Sequence, residues 1–273
     1  MKRLIVAISV MALVGLLQAC GGGDDEAGGT TTPASAPASS AATETTLLPE
    51  GYTETDVADG GTISGVATFS GAPPVARVIQ VTKDNAVLGF DTLPDESLIV
   101  SADGKIANVV VFIQEITQGK AMSRSVPTIT NKDARFEPHV QAFHQREFLI
   151  RSEDPVLHNT HPYLGRKEEG GRSLYNVAIS PGEGGQAKET LRPLKRPGMH
   201  QIRCDAHDWM RGWVWVLDHP YGVVSSADGS FSIDNVPPGT YKITAWHEKL
   251  GEQEAEVTVP ASGAVDASFE FSL

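Results

Sequence analysis

Two soft sulfur donors and two imidazoles stand at telling positions in this chain. Cys204-Asp205-Ala206-His207-Asp208-Trp209-Met210 places a thiol, an imidazole and a thioether at C-x2-H-x2-M spacing. Well upstream, Leu157-His158-Asn159-Thr160-His161 offers a further imidazole. A thiolate and two imidazoles in one plane, with a weak axial thioether, is the donor set of a blue-copper electron-transfer site. Thiolate and thioether favour Cu(I), and imidazole suits both oxidation states, so one electron can come and go. The spacing predicts Cys204 at the end of one strand, His207 on the connecting loop and Met210 at the start of the next strand. His158 is expected to arrive on a separate loop.

The N-terminus sets the compartment. Met1-Lys2-Arg3 is basic, Leu4 to Leu17 is apolar, and Leu17-Gln18-Ala19-Cys20 follows. That apolar run is shorter than the roughly 20 residues of a membrane-spanning helix and reads as a secretory signal over residues 1–19. The Cys at the cleavage point resembles a bacterial lipoprotein signal, which implies lipidation of Cys20 and attachment to the membrane from the periplasm or cell exterior. Gly21 in place of an acidic residue favours the outer membrane where one exists. With Cys20 lipidated, Cys204 has no disulfide partner in an oxidising compartment, and metal ligation accounts for that odd thiol. The bland reading, a small buried hydrophobe, leaves His158, His207 and Met210 unexplained.

The formal charge is −12, and losing Lys2 and Arg3 with the signal takes it to −14. Such a balance argues against nucleic acid as partner and permits steering toward a basic one. Residues 20–58 are rich in Gly, Ala, Ser, Thr and Pro and predict a disordered tether. Beyond it the chain reads as all-β, in short alternating or valine-rich runs cut by Gly, Pro and Asp. Expected strands are 61–69, 107–113, 147–152, 199–203, 213–217, 231–233, 241–246 and 254–259. Asp103-Gly104 and Asp228-Gly229 predict tight turns, as does Pro237-Pro238-Gly239. The period-two pair Trp213 and Trp215 predicts one shared face in a core or at a domain junction, and Trp209 is expected exposed at a docking patch. Residues 75–94 carry no readable pattern.

Residues 126–218 resemble a cupredoxin, through Phe136-Glu137-Pro138, Asp154-Pro155-Val156-Leu157-His158-Asn159 and Gly198 to Cys204. The short C-x2-H-x2-M loop is closest to that of amicyanins. This resemblance implies His158, Cys204 and His207 as equatorial ligands of one type 1 copper, Met210 as axial ligand, and Asn159 tying the two ligand loops together. Asp205 and the inserted segment 165–173 depart from the family pattern without removing a ligand. Val224 to Tyr241, with Gly61 to Pro74, resembles a carboxypeptidase regulatory-like domain, a small transthyretin-like sandwich. The implied fold is all-β: a cupredoxin Greek-key β-sandwich inserted into a discontinuous transthyretin-like (carboxypeptidase regulatory-like) β-sandwich made of residues 59–122 and 219–273. The whole resembles bacterial periplasmic lipoproteins labelled methylamine-utilisation or plastocyanin-like.

The expected function is one-electron transfer with a small redox protein, such as a cytochrome or a dehydrogenase. The alternatives are copper storage, delivery or sensing, and a non-redox surface carbohydrate or adhesion module. No H-x-H pair of a multicopper oxidase, no G-x-S-x-G elbow, no H-E-x-x-H and no C-x-x-C-H stands in the chain, so an enzyme is not expected. His161 could pair with His158 as a second metal site, but reads more simply as a loop or supporting residue. His139, His144, His200, His219 and His247 read as structural or surface.

Overall fold

The computed structural model describes residues 51–181 and 188–273. The expected export signal, Cys20 and most of the expected tether lie outside them. The described residues form an all-β structure of several sheets, with a single short α-helical turn at Asn85–Leu88.

One pair of sheets surrounds the ligand residues. Thr128–Lys132 lies beside Arg135–Glu137 and, in parallel, Arg146–Ser152, whose other edge carries Lys188–Leu194. The facing sheet runs from His158–Leu164 through Gly198–Arg203 and Arg211–Leu217 to Val140–His144. Ile129, Phe136, Phe148, Ile150 and Leu194 from one sheet meet Ile202, Val214 and Val216 from the other, and Cys204 and Met210 complete this core.

The other pair interleaves strands from both ends of the described chain. Val110–Ile113 lies between Gly222–Val224 and Gly239–His247, and Gly251–Val259 closes that sheet. Gly61–Phe69 pairs antiparallel with Ser230–Val236, and parallel with Ala264–Asp266 and Phe269–Phe271. Ile63, Val111, Ile113, Phe231, Ile243 and Phe271 fill the space between them. The Asp-Gly turn at Gly229 needs glycine on two counts: its φ is +75°, and a Cβ would come within 2.5 Å of the Ala67 carbonyl oxygen.

A period of two explains how the halves join. Along 211–217, Val214 and Val216 face the ligand-side core, while Trp213, Trp215 and Leu217 face away from it. Along 109–113, Val111 and Ile113 face the second core, while Val110 and Phe112 face the junction. Trp246 joins them, with its ring centroid 5.4 Å from that of Trp213 and 5.9 Å from that of Trp215, both edge-on. The expected shared Trp face is therefore a third apolar layer between the two sandwiches. Segment 165–173 clamps it: the Arg166 guanidinium lies 4.7 Å from the Trp213 ring centroid and donates to the Glu248 carbonyl at 2.8 Å.

Two expected boundaries move. The tether cannot run to residue 58, because Tyr52 is buried in the second core and Thr53–Glu54 pairs with Gln118–Gly119. Residues 78–94 do not belong with the rest of 59–122, because Val81 and Leu93 are buried in the ligand-side core.

A fragment of residues 221–273 is expected not to fold alone. It lacks Gly61–Phe69 and Val110–Ile113, against which its strands pair in both sheets, and two or three strands with one open face are marginal in water. Thermal unfolding of that fragment followed by circular dichroism should show no cooperative transition; a sharp one would refute the dependence.

Candidate metal centre

Strand pairing delivers the donors to one end of the ligand-side sheet. Arg203 pairs with Arg211, so residues 204–210 form a hairpin loop between those strands. Cys204 N–H donates to the Met210 carbonyl at 3.4 Å and Met210 N–H to the His207 carbonyl at 3.1 Å, which curls the loop inward. His158 opens the strand His158–Leu164, which pairs with the Cys-bearing strand at His161↔Arg203. It therefore stands on a strand, not on the separate loop expected, and the sheet itself fixes its position.

His158, Cys204 and His207 converge. Their donor atoms lie within 4.8 Å of one another, and all three side chains are buried. Cys204 Sγ is 3.9 Å from His158 Nδ1 and 3.7 Å from His207 Nδ1, and the two Nδ1 atoms are 3.1 Å apart. A point equidistant from these three atoms lies about 2.1 Å from each, the length of a metal–imidazole bond. Met210 is buried in the same core. The Asn159 backbone N–H donates to Cys204 Sγ at 3.3 Å.

The far side of each ring decides its tautomer. His158 Nε2 lies 2.8 Å from Asp154 Oδ2 and His207 Nε2 lies 3.0 Å from Asp84 Oδ2. An ionised carboxylate only accepts, so each ring carries a proton on Nε2, and once Nδ1 is deprotonated, as metal binding requires, its lone pair faces the sulfur. Two lone pairs and a thiolate around one buried point are satisfied by a shared cation. Carboxylates behind ligand imidazoles are the usual second layer of a metal site, where they orient the ring and raise its basicity.

Asp154 is itself held down. Its Oδ1 accepts from Asp133 N–H at 2.7 Å and its Oδ2 from Ala134 N–H at 2.9 Å. Both donors sit in left-handed backbone, at φ 49° and 52°, so this carboxylate stabilises a turn that non-glycine residues adopt with difficulty. Burial works to raise the Asp154 carboxyl, but His158 and the two N–H groups outweigh it and hold it below its usual range. Burial likewise pushes the Cys204 thiol up, and the two imidazoles with the Asn159 N–H bring it down to about 6. Desolvation lowers His158, but Asp154 and the Cys204 sulfur together raise it. The metal-free pocket thus already favours the thiolate, the form that binds metal.

Other expected residues resolve differently. The Asn159 side chain reaches the second ligand loop only through Asn176, donating to it at 3.1 Å, while Asn176 donates to Asp205 at 2.6 Å. His161 spends both ring nitrogens, on Asp205 at 3.0 Å and Ser173 at 2.8 Å, and is not among the grouped ligands. Trp209 is half-buried and donates to the Ala134 carbonyl at 3.2 Å, with its ring 5.0 Å from that of His207. His139 contacts the Glu248 carboxylate. His144, His200, His219 and His247 are buried, and His219 bridges Ile113 and Tyr221 through its two nitrogens. Asp84, Asp154 and Asn176 take roles that no spacing in the sequence announces, because loop and strand packing, not a helical repeat, brings them to the rings and to Asp205.

Residues 214–272 match the family model of the carboxypeptidase regulatory-like domain. That match begins inside the strand Arg211–Leu217 and covers the C-terminal strands of the second sandwich. Among solved structures, a purple cupredoxin from Nitrosopumilus maritimus is similar at 17% identity over 33% of this chain and 99% of that one, with TM-score 0.28. A mutant of amicyanin in its oxidised state gives 20% identity over 35% of this chain and 85% of that one, with TM-score 0.27. A copper-containing nitrite reductase from Thermus scotoductus gives 15% identity over 38% of this chain and 25% of that one, with TM-score 0.26. These TM-scores lie well below 0.5, and the reading of the site rests on its own geometry. No curated protein matches the chain.

Proposed function

We propose that this chain is a one-electron carrier in which His158, Cys204, His207 and Met210 would hold a single type 1 copper, and that it is not an enzyme. The observation that carries the reading is the buried Nδ1, Nδ1, Sγ triangle with a carboxylate fixed behind each ring. Bound copper would supply reversible one-electron chemistry between Cu(II) and Cu(I). The protein's part is to keep its donors still: Asp154 and Asp84 hold the two rings, and the Asn159 N–H supports charge on the sulfur. Donors that move little between oxidation states lower the cost of each transfer, and burial excludes water and competing ligands.

The architecture that goes with this reading is a cupredoxin-type Greek-key sandwich, residues 126–218, inserted into a discontinuous transthyretin-like sandwich. Two parallel pairings support the first part, Thr128–Lys132 with Arg146–Ser152 and Val140–His144 with Arg211–Leu217. Central strands from residues 61–113 flanked by strands from 222–271 support the second. The N-terminal sequence supports export and lipidation of Cys20, leaving the carrier facing the periplasm or cell exterior. The acidic balance suits a basic cytochrome or dehydrogenase as redox partner, with an association rate that falls as salt rises.

The deciding experiment adds Cu(II) to the purified protein. A type 1 site gives an intense blue colour that bleaches on reduction and returns on oxidation. Stoichiometric Cu(I) binding without colour would turn the reading to storage or delivery, and no copper binding would leave a surface module. Met210→Leu should keep copper and colour while the reduction potential rises, because hydrocarbon replaces an axial donor. A fall in potential, measured by voltammetry, would remove Met210 from the ligand set.

A further inference from the structure

The segment without a readable pattern closes over the metal loop. Val78–Gln80 and Thr92–Pro94 pair antiparallel, and the chain between them turns through Asn85–Leu88. The apolar side of this hairpin belongs to the ligand-side core: Val81 and Leu93 are buried with Cys204 and Met210, and Ile79, Leu88 and Phe90 pack against them. Two polar contacts pin its tip to the ligand loop. Lys83 Nζ donates to the Ala206 carbonyl at 3.1 Å, and His207 Nε2 donates to Asp84 Oδ2 at 3.0 Å. The His207 side chain is 0% exposed, whereas that of Asp84 is 35% exposed. The imidazole has no open edge, and its outward contact is a carboxylate that water reaches. Asp84 sits at φ 58° and ψ 9°, left-handed backbone that Asp tolerates better than most residues.

We infer that the hairpin 78–94 is a built-in cover for the His207 edge of the metal centre and that Asp84 is a positioning residue for that ligand. It holds His207 as the Nε2–H tautomer with Nδ1 facing Cys204, and its charge favours the more highly charged metal state. A redox partner then meets the cover and not the ring. The redox half of this inference rests on the copper reading; the tautomer half concerns the metal-free chain.

The test uses the full chain labelled with 15N. In the metal-free protein, long-range 1H–15N correlations should show His207 fixed as the Nε2–H tautomer. Asp84→Ala should average the two tautomers, and Asp84→Asn should restore the fixed one, because its side-chain oxygen accepts the same hydrogen bond. In the copper-loaded protein, Asp84→Ala should weaken metal retention against a chelator by about 10- to 100-fold. The reduction potential should rise in both variants, since both lose the charge. An unchanged tautomer and unchanged retention in Asp84→Ala would overturn the positioning role, whatever the colour. If Asp84→Ala does not fold, an unchanged potential in Asp84→Asn overturns the charge effect. If no blue copper forms but the tautomer still follows Asp84, the copper reading fails and the positioning role stands.

Discussion

Cys204→Ser is expected to abolish the blue colour completely while leaving the protein folded. Serine matches cysteine in shape closely enough for the core around Ile202, Met210 and Val214, and its hydroxyl can accept the Asn159 N–H that now meets the sulfur at 3.3 Å. What it cannot do is ionise near neutral pH or offer a soft donor to Cu(I). Colour in such a site comes from thiolate-to-Cu(II) charge transfer, so it should vanish, and the fraction of copper retained as Cu(I) should fall. The check is a visible spectrum after Cu(II) addition, beside a far-ultraviolet circular dichroism spectrum that matches the parent. A variant with the same visible bands would show that Cys204 is not the sulfur ligand.

Asp154→Ala should strongly destabilise the metal-free protein. One buried carboxylate serves three donors, Asp133 N–H, Ala134 N–H and His158 Nε2–H, all within 2.9 Å. Alanine leaves a turn of two left-handed residues without its acceptors and a buried imidazole without its orienting partner. Removing one member of such a buried charged network costs about 3–5 kcal/mol. The midpoint of urea unfolding should fall by that free energy divided by the slope m, with the slope unchanged, and a loss below about 1 kcal/mol would contradict the role. Acidity gives an independent check. The folded carboxyl is depressed, so its contribution is full above the ordinary Asp value of about 3.9 and is lost as pH falls through the folded value. The parent should therefore lose stability in that acid window, and Asp154→Ala should lose correspondingly less.

Much of the centre was legible in the chain because its parts are local. C-x2-H-x2-M spans seven residues of one hairpin loop, so Cys204, His207 and Met210 could be placed without knowing the fold, and the period of two that relates Trp213 to Trp215 is equally local. That period announced their shared face, although not that Trp246 would meet it. His158 was nameable by type, but its place on a strand follows from pairing with Gly198–Arg203. The carboxylates behind the rings were not legible. Asp84 and His207 are 123 residues apart, and an Asp in an unpatterned segment is indistinguishable from a solvated turn residue. The apolar residues of that segment, Ile79, Val81, Leu88, Phe90 and Leu93, are too irregularly spaced to announce a strand or a helix, because they bury the two arms and tip of a short hairpin against a core formed by other strands. Tyr52 likewise ends the tether only because a pocket from distant strands receives it. Donor identity and strand period are properties of short stretches of chain, whereas a ring's tautomer, its exposure and the charge behind it depend on which remote segment packs there.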